Sequence, residues 1–493
     1  MKFVRTLCAA VLLFSASALT AEAANRYVVV FKSDVLPADA QAHVTAAGGS
    51  TVRALPEIGV LMAAGEARFV TKLSRDASVL AVGPENMLHL SPTTAVVALD
   101  ADAATPDATT PDAATPDAGP TATDVYYFIY QWDMRRIGAP AVWSRMPLPI
   151  VGPRATVAVL DVGVMDNHPD LSGQLVATKA TSYCQTSGGP NNTASYPKYS
   201  TLIDFDAHPV WEPSDGCTPV ATTYEWHGTH VAGTIAAKFG GGRVVGVDPL
   251  GAVAAYKVFD RYRFTDPDKG LIDAVGAFDG PLFAAIIDAT NNGYPVINMS
   301  LGGEVLRSDR SGNASWLAWD RVTRYANQHG TLIVASAGNE ALDLNGPIAS
   351  IPSDLPMVMS TSATGWSELV PGTTGYVPAP GSHDVLAFYS NVGASVDISA
   401  PGGDCGPTYP AGCEVQYLIM SDYIFPNGAA GYVFAAGTSM AAPHVAAVAA
   451  MVRALHPDWT PGDVRDYLKS TADPVDGRQE FGHGVVNADT AVR

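Results

Sequence analysis

The chain has 493 residues, room for two or three domains of about 100–200 residues each. Apolar residues make up 47% and charged residues only 16%, which excludes a disordered chain. The formal charge of −19 repels phosphate backbones and anionic surfaces, so nucleic acid is excluded as a partner.

At the N-terminus, Lys2 and Arg5 precede an apolar run from Leu7 to Leu19, and Ala21-Glu22-Ala23 fits a small-x-small cleavage site. Residues 1–24 therefore read as a secretory signal peptide, since a membrane span needs about 20 apolar residues. The expected product is secreted and extracellular, with no membrane attachment after signal removal. Cys8 leaves with the signal, and Cys184, Cys217, Cys405 and Cys413 remain for an oxidising compartment. Three pairings are possible, and closure of local loops favours Cys184 with Cys217 and Cys405 with Cys413.

Residues 25–91 alternate strand-like and helix-like runs: Arg26–Lys32, Pro37–Ala47, Ser50–Ala54, Gly59–Ala63, Glu66–Ser74 and Val79–Val82. They predict a small α+β unit. Beyond Ser91 the composition shifts, and a Thr-Pro-Asp triplet recurs at Thr105, Thr110 and Thr115. Residues 92–123 accordingly read as an acidic, semi-extended linker. From 124 to 493, apolar runs at Ala155–Leu160, Ala252–Phe259, Pro295–Asn298, Thr331–Ser336 and Met357–Ser360 alternate with helix-like stretches. These include 227–238, 282–292, 314–329, 438–454 and 461–470. Continuous apolar runs suit strands buried on both faces, so the class is α/β with a mostly parallel sheet.

Ligands in such sheets bind beyond the carboxyl ends of strands, and polar residues there carry the chemistry. Asp161 ends the run Ala155–Leu160. His227 opens Trp226-His-Gly-Thr-His-Val-Ala-Gly-Thr234, and Ser439 lies in Ala436-Gly-Thr-Ser-Met-Ala-Ala-Pro-His444 at the start of a long apolar helix. Asn339 follows the strand-like run ending Ala335-Ser-Ala-Gly338. A serine hydroxyl is a poor nucleophile until a base takes its proton, and a carboxylate stabilises the resulting imidazolium.

In the order Asp, His, Asn, Ser, these four blocks resemble the subtilisin-like serine proteases, the subtilase or S8 family. The resemblance runs from Gln131 to Arg493. It implies a three-layer fold and a serine endopeptidase with Ser439 as nucleophile, His227 as general base and acid, Asp161 orienting His227, and Asn339 as oxyanion donor. His230 and His444 are motif residues implied to pack, not to move protons. Ser300, Leu301, Gly302, Ala335, Ala337 and Gly338 resemble the edges of the family's substrate cleft. Residues 25–91 resemble an inhibitor-type (I9, ferredoxin-like) propeptide that would act as intramolecular chaperone and inhibitor of a monomeric zymogen. No cofactor is implied for the chemistry. His168-Pro-Asp170 resembles a block whose aspartate binds structural calcium, so Asp170 is a candidate ligand, although the loop 238–242 lacks the family's asparagine. The alternatives are a secreted esterase, which would place Ser before Asp and His in a Gly-x-Ser-x-Gly turn, and an inactive binding protein of the same fold.

Overall fold

Arg26–Phe31 (β1) is buried along its whole length because both faces of this β-branched run are covered. With Ser50–Leu55 (β2), Val60–Ala64 (β3) and Val79–Pro84 (β4) it forms a four-stranded sheet of order β2-β3-β1-β4. Helices Ala40–Ala47 (α1) and Ala67–Leu73 (α2) join the strands, giving the split β-α-β topology of a ferredoxin-like unit. Successive side chains of a strand point to opposite faces, and here the faces serve two cores. Tyr27, Val29 and Phe31 pack with Val44, Leu61 and Phe69 inside the unit. Val28 and Val30 join Val60, Met62, Phe283, Trp319 and Val322, which docks the unit on the larger part of the molecule.

This computed structural model describes residues 26–90, 95–99, 120, 124–148, 154–182, 225–266, 270–309, 313–372 and 375–493. The signal segment, most of the linker and the Cys184 and Cys217 pair lie outside the described residues.

After β4 the chain makes two further strands, Met87–Leu88 (β5) and Ala95–Leu99 (β6). The second lies where the sequence reading placed only linker. Its Ala-Val-Val-Ala-Leu composition favours a strand, a signal masked by the acidic repeat that follows. Three short helices come next, Val125–Tyr130 (α3), Trp132–Arg136 (α4) and Ala139–Trp143 (α5).

The central sheet is built from Thr156–Asp161 (β7), Leu175–Ala180 (β8) and Ala252–Lys257 (β9), followed after the hairpin Asp260–Asp266 (β10) and Gly270–Phe278 (β11) by Val296–Met299 (β12). Beyond the pair Gly303–Leu306 (β13) and Ile348–Ile351 (β15) it takes in Leu332–Ser336 (β14), Val358–Trp366 (β16), Asp384–Leu386 (β17) and Ile398–Pro401 (β18). The spatial order is β17-β16-β14-β12-β7-β9-β8, with β18 also on β16. Every ladder is parallel except the antiparallel β16 and β17 pair. A last hairpin, Ile419–Ile424 (β19) and Ala430–Ala436 (β20), leads into the long helix.

His227–Ala236 (α6) and Thr438–Leu455 (α9) cover one face of the sheet, and Asp279–Asn291 (α7) and Ala314–Gln328 (α8) the other. Alternation along β7 makes the division: Val157 and Val159 belong to the core with Val231, Ile235, Val445 and Val448, and Ala158 and Leu160 to the core with Phe283, Ile286 and Trp319. The three layers are those expected. Helix α9 has the length and hydropathy to cross a membrane, yet 83% of it is buried inside the fold, which makes it a core helix. Pro461–Thr471 (α10) follows, started by a capping box between Thr460 and Asp463.

Candidate active site

Asp161 is the last residue of β7 and is fully buried. Its Oδ1 accepts the Val162 N–H at 2.8 Å, and His227 Nδ1 lies 3.0 Å from Oδ1 and 2.9 Å from Oδ2. His227 is the first residue of α6. The close approach of that helix to the loop after β7 requires glycine at 228, where a Cβ would fall 2.2 Å from the Gly163 carbonyl oxygen. With Nδ1 donating to Asp161, the lone pair of His227 sits on Nε2. That atom is buried and has no hydrogen-bond partner among the described residues.

Ser439 stands in the first turn of α9, where the macrodipole and unpaired N–H groups favour developing negative charge. Its position is fixed through the strand neighbouring β7. Ser300, just past β12, donates its Oγ to the Ser439 carbonyl at 2.8 Å, Ser439 Oγ donates to the Ser300 carbonyl at 3.2 Å, and Asn298 Nδ2 donates to Ser300 Oγ at 3.0 Å. The carboxyl ends of the neighbouring strands β7 and β12 thus hold the Asp161 and His227 pair and Ser439 respectively. The Ser439 hydroxyl is turned to Ser300 and makes no hydrogen bond to His227 Nε2.

Asn339 follows β14. Its Oδ1 accepts the Thr438 N–H at 2.8 Å and the Thr438 hydroxyl at 2.7 Å. This sets the amide plane and leaves Nδ2 beside Gly437, where a Cβ would lie 3.2 Å away. Thr438 had no role in the sequence reading, since an N-terminal helix threonine is ordinarily only a cap.

The six expected cleft residues divide. Gly302 offers its backbone: His89 N–H donates to the Gly302 carbonyl at 3.0 Å, and Gly302 N–H donates to the His89 carbonyl at 3.1 Å. Just before His89, β5 pairs with Ala277 and Phe278, so residues 87–89 lie as a strand between two sheet edges. Ser300 and Leu301 are buried beneath that edge, and Ala335 and Ala337 are fully buried, with Ala335 in the β12, β14 and β16 ladders. Gly338, at φ 110°, donates its N–H to Thr438 Oγ1 at 3.2 Å, tying this wall to the helix of Ser439.

His230 and His444 pack as expected. Burial pushes His230 down to about 3, keeping it neutral, and its Nε2 faces the Ile419 carbonyl at 3.2 Å. His444 has a partner that sequence reading missed: Nε2 lies 3.0 Å from Asp133 Oδ2 and Nδ1 lies 2.9 Å from the Met440 carbonyl, all buried. Asp133 stands in α4 with no motif around it, so nothing local marks it.

Cys405 and Cys413 form a disulfide across the loop between β18 and β19. Asp170 is fully buried, and its neighbours are the side chains of His168 and Asp422, whose donor atoms and its own all lie within 4.8 Å of one another. An imidazole nitrogen among so few oxygens fits poorly with calcium, which takes 6–8 oxygen ligands. Asp422, on β19, carried no sequence signal.

The subtilase family profile matches residues 152–486. The subtilisin of Bacillus pumilus is 30% identical over 358 residues, 73% of this chain and 97% of that one. An extracellular protease of Xanthomonas campestris pv. campestris is 32% identical over 350 residues, 69% of this chain and 51% of the relative. Among solved structures, fervidolysin from Fervidobacterium pennivorans, described as a keratinolytic enzyme related to subtilisin, aligns with a TM-score of 0.61 at 24% identity, over 95% of this chain and 60% of its own. The chain belongs to the subtilase family. It is a serine endopeptidase with the subtilisin-like fold, acting on peptides or proteins, and its chemistry needs no cofactor.

Proposed function

We propose that this endopeptidase works through Asp161, His227 and Ser439 and is made as a secreted, self-processing, monomeric zymogen. Ser439 Oγ exchanges its bond to the Ser300 carbonyl for one to His227 Nε2. It then attacks the substrate carbonyl carbon while its proton passes to Nε2. Asp161 holds Nδ1–H and stabilises the imidazolium. Asn339 Nδ2 and the Ser439 N–H receive the oxyanion. His227 gives the proton to the leaving amine, and water, deprotonated by the same ring, releases the acyl group from Ser439. The observation that carries this reading is the buried Asp161–His227 pair, whose second ring nitrogen has no hydrogen-bond partner among the described residues, at the sheet end where Ser439 is held.

The zymogen reading covers residues 25–91 as propeptide and 92–123 as linker, ahead of a peptidase domain from 124 to 493. Its support is the antiparallel pairing of His89 with Gly302, the geometry by which an extended peptide adds to a sheet edge, together with the core shared by β1 and β3 with α7 and α8. Secretion is supported by residues 1–24, by the extracellular relative and by the disulfide. A second one between Cys184 and Cys217 belongs to the same reading. A structural cation at Asp170 is also part of it.

Ser439→Ala tests the assignment. The expected product has no activity on casein and remains a single uncut precursor. Residual proteolysis at wild-type rate, or normal maturation, would refute the role of Ser439.

A further inference from the structure

We propose that His168, Asp170 and Asp422 form a site for a first-row divalent cation of the zinc type, and not for calcium. The proposal narrows the structural-cation reading above and is independent of the triad. Three observations carry it.

The first is the state of the imidazole. His168 Nε2 lies 3.0 Å from the Gly431 carbonyl, an acceptor, so the proton sits on Nε2 and the lone pair on Nδ1, which the Asp170 N–H approaches at 3.3 Å. A backbone carbonyl holding the outer nitrogen is the usual support of a metal-binding histidine. The ring is further held edge-on to Tyr432, 5.4 Å between centroids.

The second is the donor set. Nδ1 lies 3.4 Å from Asp422 Oδ1 and 4.0 Å from Asp170 Oδ2. A separation of about 3.4 Å is the edge of a tetrahedron with bonds of about 2.0–2.1 Å, the lengths of zinc to nitrogen and carboxylate oxygen. Imidazole is a ligand of zinc and its neighbours, whereas calcium takes oxygen.

The third is that the two buried carboxylates have few partners for their oxygens. All three side chains are 0% exposed. Among the described residues, both oxygens of Asp422 and Oδ1 of Asp170 have no hydrogen-bond partner, while Asp170 takes the Arg243 N–H on Oδ2 at 3.3 Å and a bond from the Tyr432 hydroxyl. Two buried carboxylates side by side are costly unless a cation or a proton neutralises them. Glycines keep the space around them open: a Cβ at 242 would lie 2.5 Å from Asp170 Oδ2, and one at 233 would lie 2.6 Å from Asp422 Oδ2. Gly233 is in α6, so a cation here braces the helix of His227 from behind.

The test uses the full untagged chain, inactivated with a sulfonyl fluoride, stripped with dipicolinate and titrated with Zn²⁺, Co²⁺ or Ca²⁺ alone. Zn²⁺ should bind at one equivalent and raise the unfolding temperature, and Co²⁺ should give the visible absorption of a nitrogen- and oxygen-ligated ion. His168→Asn and Asp422→Asn should each weaken Zn²⁺ at least about tenfold. The Co²⁺ spectrum needs no variant, so a folding failure in either leaves the proposal open to refutation. Binding of Zn²⁺ well below one equivalent, or Zn²⁺ affinity unchanged in both variants, overturns it. Ca²⁺ binding that depends on Asp422 but not on His168 also overturns it, and would leave the calcium form of the structural-cation reading standing.

Discussion

Asn339 shows how one side chain gains a role from its neighbours. An asparagine after a strand is ordinarily a turn former, yet Thr438 takes both bonds at Oδ1 and so presents the other end of the amide toward the nucleophile's turn. Asn339→Ala should lower kcat by about 10²–10³, the range for losing one such donor in a subtilisin, with KM nearly unchanged. Steady-state kinetics on a peptide anilide decides this, and a change confined to KM would reduce Asn339 to a turn residue. Specificity also belongs to single residues. The walls at 335–338 and 349–352 are small and uncharged, and Ala349 and Ile351 are buried in β15. A basic side chain would lose hydration there without a partner, whereas Phe or Leu gains about 1.5–3 kcal/mol of burial. Two carboxylates lie near these walls: Glu340 accepts Asn391 Nδ2 at 2.8 Å, and Glu304 stands opposite Ser350 in the β13 and β15 ladder, where burial pushes it up and keeps its charge disfavoured. Cleavage after Phe or Leu should therefore exceed cleavage after Lys or Arg by about tenfold or more in kcat/KM. A matched anilide series showing the reverse order overturns the pocket.

At the scale of elements, the joint between the N-terminal unit and α7 is held by acids. Asp279, the first residue of α7, accepts the Asn86 N–H at 2.9 Å and Trp319 Nε1–H at 2.8 Å, and Glu85 accepts the Gly280 N–H at 2.8 Å. Burial, reinforced by the Glu85 charge, pushes Asp279 up to about 7. A carboxyl raised in the folded state binds its proton more tightly there than in the unfolded chain. Its contribution is full below about pH 4 and is lost as pH rises through about 7. Asp248, raised to about 6 by burial, acts in the same direction. The denaturation midpoint of the full chain should thus fall between pH 4 and 7, and Asp279→Asn should flatten part of that slope. Guanidinium titrations at several pH values measure it, and an unchanged slope would mean that Asp279 carries none of it. The same joint shows the limit of local reading. The helices and strands of residues 25–91 were legible in their periodicity, but Glu85 and Asn86 carried no pattern, because their partners lie on α7 and α8.

For the whole molecule, the layers were legible in the sequence, and the site residues were candidates there. Short continuous apolar runs suit strands buried on both faces, and helical stretches between them suit right-handed parallel crossovers. Asp161 and Asn339 follow the ends of such runs and His227 and Ser439 open helices, and it was the resemblance of these four blocks to the subtilases that singled them out. Tertiary structure alone decided what holds them. The Ser300 and Ser439 exchange spans 139 residues, the Asp133 and His444 pair 311, and β6 lies along β20. The meeting of Asp422 with His168 and Asp170 is of the same kind. Periodicity records which face of an element is buried, since that follows from apolar area on a local repeat. It does not record which buried polar atom meets which, because desolvation makes each such atom need a partner while chain topology alone supplies one.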